Sequence, residues 1–288
     1  MKQHPNFRIA WRGVNLLLAA SFLTLLFAGG WEYSMRRYLK GFSDAIVPAT
    51  ASPEQQVEAI LEWMRAGPSR AATADPAALA RSDPENTLNY RQLLQVCGTA
   101  TNAFLNVARS AGLDARRLLL LDADQRVNHV VAEVLIGYRW IVVDPAYRVI
   151  LRDAHGRSLT RQELRSPEVY SAATRAIPGY LSEYDYDEVS HLRMARIPLV
   201  GTTLGKALDR IYPHWDEAAD WTLMVERRSF ALLVASIFAT LALLAFRTVL
   251  AWYADRKLHL PRLRLRAQLL RAGATLFSGP DLPAGRQD

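Results

Sequence analysis

The sequence predicts an α+β protein in which a cysteine-bearing helix packs on an antiparallel sheet, with two transmembrane helices flanking that core. Three observations carry this. Two long apolar stretches lie near the two ends of the chain. Between them, helical periodicity gives way to strand-like runs. Those runs follow one another through short turns with no helix between them, the order of an antiparallel sheet.

The first apolar stretch, Gly13 to Trp31, carries no charge. About 20 apolar residues cross a bilayer as a helix, because every backbone group must be bonded within the segment. Two readings fit: an uncleaved anchor, or a signal peptide cut after Ala28-Gly29-Gly30. Either sends the following chain across a membrane. The second stretch runs from Ser229 to Tyr253. Arg247 sits near one of its ends, where its stem can snorkel, and Trp252 and Tyr253 suit the interface. Arg256, Lys257, Arg262, Arg264, Arg266 and Arg271 follow. The positive-inside rule keeps this basic tail in the cytoplasm, and Lys2, Arg8 and Arg12 agree. Residues 32–228 then lie on the far side, which in a bacterial inner (plasma) membrane means periplasmic or extracellular. Leucines alternate partly with the tail's basic residues, so the tail reads as a helix lying on anionic lipid or as a solvated basic segment.

The 288 residues carry a formal charge of +7, and the excess belongs to the two ends. A nucleic-acid binder would carry its basic stripe on the folded body, so no nucleic-acid partner is expected. One cysteine excludes an intrachain disulfide and any cysteine-based zinc cluster, and the six histidines are too scattered for a local metal motif. No metal and no cofactor are expected. With two spans and neither intramembrane acids nor broken helices, a transporter is disfavoured.

Within the body, Pro53 opens a helix whose Val57, Ile60, Leu61 and Met64 share one face, and Gly67-Pro68 ends it. Residues 68–86 are rich in Ala, Pro, Asp and Ser and read as a surface connection. A second helix starts near Cys97, with Ala100, Phe104, Val107, Ala108 and Ala111 on one stripe, and stops at Gly112. Strands are expected over 116–121, 127–136 and 139–143, turned at Asp122 to Gln125 and at Gly137-Tyr138. Residues 159–228 mix helical patches with prolines. The acidic run Glu183 to Glu188 reads as a solvated loop or as a cation-attracting one.

Three side chains carry chemistry. A thiol at a helix start faces the backbone N–H groups and the positive end of the dipole, which favours the nucleophilic thiolate. Taken alone, Cys97 reads more readily as a small buried hydrophobe than as a nucleophile. His129 opens one strand and Asp144 closes the next. A hairpin turning between Ile136 and Gly137 sets the two opposite each other, Cβ atoms roughly 5 Å apart, close enough for the carboxylate to fix the imidazole tautomer. A one-residue slip puts them on opposite faces. An ordinary cross-strand His–Asp pair has the same spacing.

Together, the stretches CGTATNAFLNVARSAGLDARRL (97–118) and NHVVAEVLIGYRWIVVDP (128–145) resemble the transglutaminase-like superfamily, whose microbial members include cysteine peptidases and other acyl-transfer enzymes. The resemblance covers roughly residues 53–150 and extends to Glu133 and Trp140, an acid after the His and a Trp before the Asp. It implies a papain-like Cys-His-Asp core, with Cys97 as nucleophile, His129 as general base and then acid, and Asp144 as the orienting carboxylate. The Cys97 backbone N–H is one natural oxyanion donor, and Gln92 or Gln95 is a candidate for the other. Gly98 departs from the bulkier residue common in relatives and opens the surroundings of the thiol.

The implied organisation is a cytoplasmic N-terminus with the first transmembrane helix (1–31), a transglutaminase-like domain (32–158), a mixed helical extension (159–228), a second transmembrane helix (229–253) and a basic tail (254–288). The expected function is acyl transfer or hydrolysis of amides in a peptide or protein substrate through a thioester, at a membrane and beside a membrane-protein partner. The competing expectation is a catalytically silent scaffold or accessory protein for surface-polymer assembly or export.

Overall fold

The computed structural model of the protein describes residues 4–66, 84, 88, 96–124, 126–180, 184–191, 210–212 and 222–258. The expected connection 68–86, apart from residues 84 and 88 nearby, the glutamines 92 and 95, and the tail beyond residue 258 lie outside the described residues. Two compact units emerge, Ala28–Val234 and the combination of Met1–Phe27 with Ala235–Asp288.

In the second of these units, the N-terminal part of helix α1 (Pro5–Ile46) and the C-terminal part of a later helix (Arg228–Arg256) carry the apolar stretches. Both helices are long and apolar enough to cross a membrane. Within this unit the Ser21 and Thr240 hydroxyls are hydrogen-bonded at 2.8 Å. Arg247 Nε donates to Asn15 Oδ1 at 2.9 Å, and its guanidinium lies over the Trp11 ring.

In the unit Ala28–Val234, α1 continues well past the apolar stretch to Ile46, where Pro48 makes further helix unfavourable. This end of α1 buries Met35 and Leu39. Helix α2 (Pro53–Arg65) starts with a complete capping box: Ser52 accepts from the Gln55 N–H, Gln55 accepts from the Ser52 N–H, and Pro53 takes the first helical position. Its face Val57, Ile60, Leu61 and Met64 is fully buried, as the periodicity predicts. Helix α3 (Cys97–Ala111) ends on Gly112, whose φ of 93° is the left-handed cap that glycine adopts without Cβ strain.

The strands are β1 (Ala115–Leu121), β2 (Val127–Ile136), β3 (Arg139–Asp144), β4 (Val149–Ile150) and β5 (Val189–Ser190), in the antiparallel order β4-β3-β2-β1-β5. The extension adds α4 (Arg161–Leu164), α5 (Pro167–Thr174) and α6 (Thr222–Glu226), and the helix Arg228–Arg256 is α7. Alternation along the strands sends two sets of side chains to two covered faces. On one face Ala132, Val134, Ile141 and Val143 meet Phe104, Val107 and Ala108 of α3 and the buried stripe of α2. On the other, Leu118, Leu120, Val131 and Val142 meet Leu151, Leu159, Leu164, Tyr170, Tyr184 and Tyr186. The architecture is therefore α+β with an antiparallel sheet, as expected.

The β2–β3 register differs from the expected one. Ala132 pairs with Val143 and Ile136 with Arg139, so the two-residue turn is Gly137-Tyr138 rather than a loop centred between Ile136 and Gly137. Gly137 has a φ of 61°, which suits the first position of a tight hairpin turn with glycine there. Continuing the ladder one step sets Val131, not His129, opposite Asp144.

A buried polar cluster joins the sequence-distant ends of this unit. Glu32 accepts from Arg36, Arg227 and Ser229, and Arg227 also donates to Asn106 on α3. Beside it, the buried Glu226 carboxylate meets Arg109 at 2.6 Å and Arg117 at 3.0 Å.

Candidate active site

Cys97 is the first residue of α3. Its predecessor Val96 is extended and among the described residues no side chain caps the helix, so the thiol stands at the positive end of the helix dipole. The side chain is half-buried. Beside it, apart from the helix's own backbone and the chain neighbours, no described residue lies within 4 Å of where a Cβ on Gly98 would stand.

His129 enters the same place from the start of β2. An irregularity in the β1–β2 ladder leaves it paired with Leu120 while Leu121 pairs with Val127. Asp144 ends β3. The expected direct opposition is not realised, and the correction has a simple cause. Moving the turn to Gly137-Tyr138 advances β3 by two residues against β2, which preserves the face because the side-chain period is two. His129 and Asp144 are thus diagonal neighbours on one face, a separation within reach of long polar side chains. His129 Nε2 donates to Asp144 Oδ2 at 2.7 Å, and both side chains are completely buried.

The carboxylate is held on its other side as well. Asp144 Oδ1 accepts from the backbone N–H groups of Ala146 and Tyr147 at 3.0 and 3.2 Å. The second imidazole nitrogen, Nδ1, is buried without a partner at full hydrogen-bond geometry. Cys97 lies close enough to the ring to act on it electrostatically. Burial works to lower the imidazolium pKa. The Asp144 charge and hydrogen bond outweigh it, Cys97 adds to them, and the result is pushed up to about 9. The arrangement favours a protonated ring next to the sulfur across the neutral range.

A family model for the transglutaminase-like superfamily matches residues 40–145. This stretch is a transglutaminase-like domain. It contains Cys97, His129 and Asp144, and it ends one residue past the carboxylate. No curated protein and no solved structure matches the chain. Two further positions of the transglutaminase-like pattern form a separate cluster. Glu133 accepts from Arg116 at 2.8 Å and from His191 at 3.1 Å, and the Arg116 guanidinium lies 4.2 Å over the Trp140 ring. Burial acts to raise the Glu133 carboxyl, but His191 and Arg116 hold it lowered overall. Through His191, the residue that follows β5, this cluster ties the end of that strand to the sheet.

Gln92 and Gln95, expected as oxyanion donors, lie outside the described residues. Among the described residues no group of three metal-ligating side chains comes together.

The sequence reading missed a set of tyrosines. Tyr184 lies flat on the His129 ring, centroids 4.2 Å apart and planes 5° apart. Tyr147 and Tyr180 present edges to the same imidazole at 5.9 and 6.5 Å. The run from 183 to 188 held a usable signal. Tyr184 and Tyr186 are buried while Asp185 and Asp187 are exposed, an in-and-out alternation hidden by the segment's acidity. The loop reading holds for the acids: Asp187 pairs with Arg165 at 3.3 Å on the surface.

Proposed function

We propose that the protein is a membrane-anchored thiol enzyme that hydrolyses amide bonds in peptides or proteins, with residues 32–228 facing the periplasm or cell exterior and both termini in the cytoplasm. The observation that carries the reading is the buried His129–Asp144 hydrogen bond with the half-buried Cys97 sulfur interacting with the same ring. The transglutaminase-like match over the segment holding all three residues supports it.

In this scheme the Cys97 thiolate attacks the substrate carbonyl carbon, and the carbonyl electron pair moves to oxygen. The α3 N-terminus, beginning with the Cys97 N–H, faces the resulting negative charge. The His129 imidazolium delivers its proton to the departing amine as the C–N bond breaks, leaving a thioester. The neutral ring then takes a proton from water. The hydroxide forms the new C–O bond, the C–S bond breaks, and the acid, thiolate and imidazolium are regenerated. Asp144 keeps Nε2 protonated throughout, so that Nδ1 does the proton work. An amine in place of water would turn the same thioester into a cross-link.

The test is incubation of the full chain, in detergent, with a mixed peptide library, products being read by mass spectrometry. Shortened peptides are expected. Fused masses with loss of ammonia would assign transfer instead, and a library unchanged by wild type would favour the silent scaffold.

A further inference from the structure

We infer that Tyr184 is a positioning residue for the His129–Asp144 pair, steadying the protonated imidazole through its ring face. It lies beyond the stretch 40–145 that matches the family model, so its role is not carried by that match. The inference rests on the proposed thiol chemistry and says how its imidazolium is held.

Tyr184 is buried and stacked in parallel on His129 at 4.2 Å, with its hydroxyl unpartnered in the interior. A buried phenol normally finds a hydrogen-bond partner. What Tyr184 contributes here is therefore its face. An aromatic face within about 6 Å of a cation attracts it through the ring quadrupole, more strongly where water is absent. His129 is such a place, being completely buried. Tyr184 is itself held: the Tyr180 ring meets it edge-on at 5.4 Å.

Tyr180 is placed in turn by the Tyr186 hydroxyl, which lies 3.3 Å from its own. Burial first, and then the Asp144 charge, push both hydroxyls well above the usual tyrosine range, so each stays protonated. The backbone before Tyr180 is anchored because the Tyr147 hydroxyl donates to the Gly179 carbonyl at 2.7 Å. The titratable groups facing the pair are thus Cys97 from α3, Asp144 from β3, Tyr147 from the turn after it, and Tyr180 and Tyr184 from the extension. Tyr170 and Tyr186 stand behind these.

Replacing the Tyr184 face with an aliphatic side chain keeps the site dry but withdraws support from the cation, so the imidazolium pKa falls. A substitute that keeps the ring keeps the support, whereas loss of the hydroxyl alone has no reason to move the pKa.

The test uses the single cysteine of the full chain in detergent. Iodoacetate alkylates the thiolate with help from the neighbouring cation, so its rate falls when the ring loses its proton. That fall gives the upper inflection of the pH–rate profile, with modification counted by mass. In Tyr184→Leu the inflection is expected to drop by about 0.5 to 1 pH unit, and Tyr184→Phe, which keeps the face, restores it. An upper inflection that Tyr184→Leu leaves in place, or that Tyr184→Phe lowers as far, overturns the inference while leaving the thiol chemistry standing. Should Tyr184→Leu fail to fold, Tyr184→Met, a flexible side chain that also lacks the face, is expected to give the same drop and decides in its place. A wild-type profile with only one ionisation, near the ordinary thiol value of about 8.5, overturns the inference and the proposed function together.

Discussion

Arg227 and Glu32, 195 positions apart in the chain, form an ion pair at 2.9 Å with both side chains buried. Each leans on other groups, Glu32 on Arg36 and Ser229, Arg227 on Asn106 of the helix that begins with Cys97. Desolvating two charges is costly, and the pair persists because its remaining hydrogen-bonding capacity is largely met.

Arg227→Met is expected to destabilise the unit by about 3–5 kcal/mol, because Glu32 would be left as an uncompensated buried charge. Adding Glu32→Met should recover much of that loss. Thermal unfolding in detergent checks both. A single variant as stable as wild type would show that the pair is not buried in solution.

Asp144→Ala removes the partner that fixes the imidazole tautomer, and hydrolysis is expected to slow by about 10²- to 10⁴-fold. Asp144→Asn keeps a hydrogen-bonding group but loses the charge that most raises His129. Its upper pH limit of activity should therefore fall below the wild-type value of about 9. Initial rates across pH, measured on peptide products, distinguish the two effects.

His129 also links stability to pH. Its folded pKa of about 9 stands above the ordinary 6.5. A raised basic group contributes stability in full below the unfolded value and loses it as pH climbs through the folded one. The wild type should therefore show a Tm contribution that declines between about pH 6.5 and 9 and is missing from His129→Ala. Parallel pH–Tm curves for the two proteins would contradict the raised pKa.

Gly137→Ala is expected to cost about 1–2 kcal/mol, since a φ of 61° strains any residue carrying a Cβ. Its neighbour Tyr138 is fully exposed, so Tyr138→Ser should be neutral within about 0.5 kcal/mol. Unfolding midpoints of the two variants test the turn that sets the β2–β3 register.

How far the sequence carried the reading depended on how local each signal was. Helix α3 was legible from Cys97 to its end because an apolar stripe stops at Gly112, and the left-handed cap there is a one-residue signal. The shared face of His129 and Asp144 was legible for a sturdier reason than their expected opposition: parity survives a two-residue error in register, and direct pairing does not. The Gly137-Tyr138 turn was visible as a turn, yet the pairing was centred one residue early. Helix α1 past Glu32 carries no apolar run that marks it in the sequence, because charged residues begin there, although Met35 and Leu39 continue a buried stripe. Tyr180 and Tyr184 were illegible for a tertiary reason. They lie in an acid-rich segment without long periodicity, and nothing local says that β5 will draw them over a histidine half a domain away.

The central claim is that Cys97 forms a thioester with help from His129. The most direct measurement exposes the full chain in detergent to an activated acyl ester, quenches in acid, and weighs the intact protein. A single acyl adduct at Cys97, released by hydroxylamine, is predicted for wild type, absent from Cys97→Ala and strongly slowed in His129→Ala. No adduct, or one that forms equally fast without the imidazole, would contradict the account.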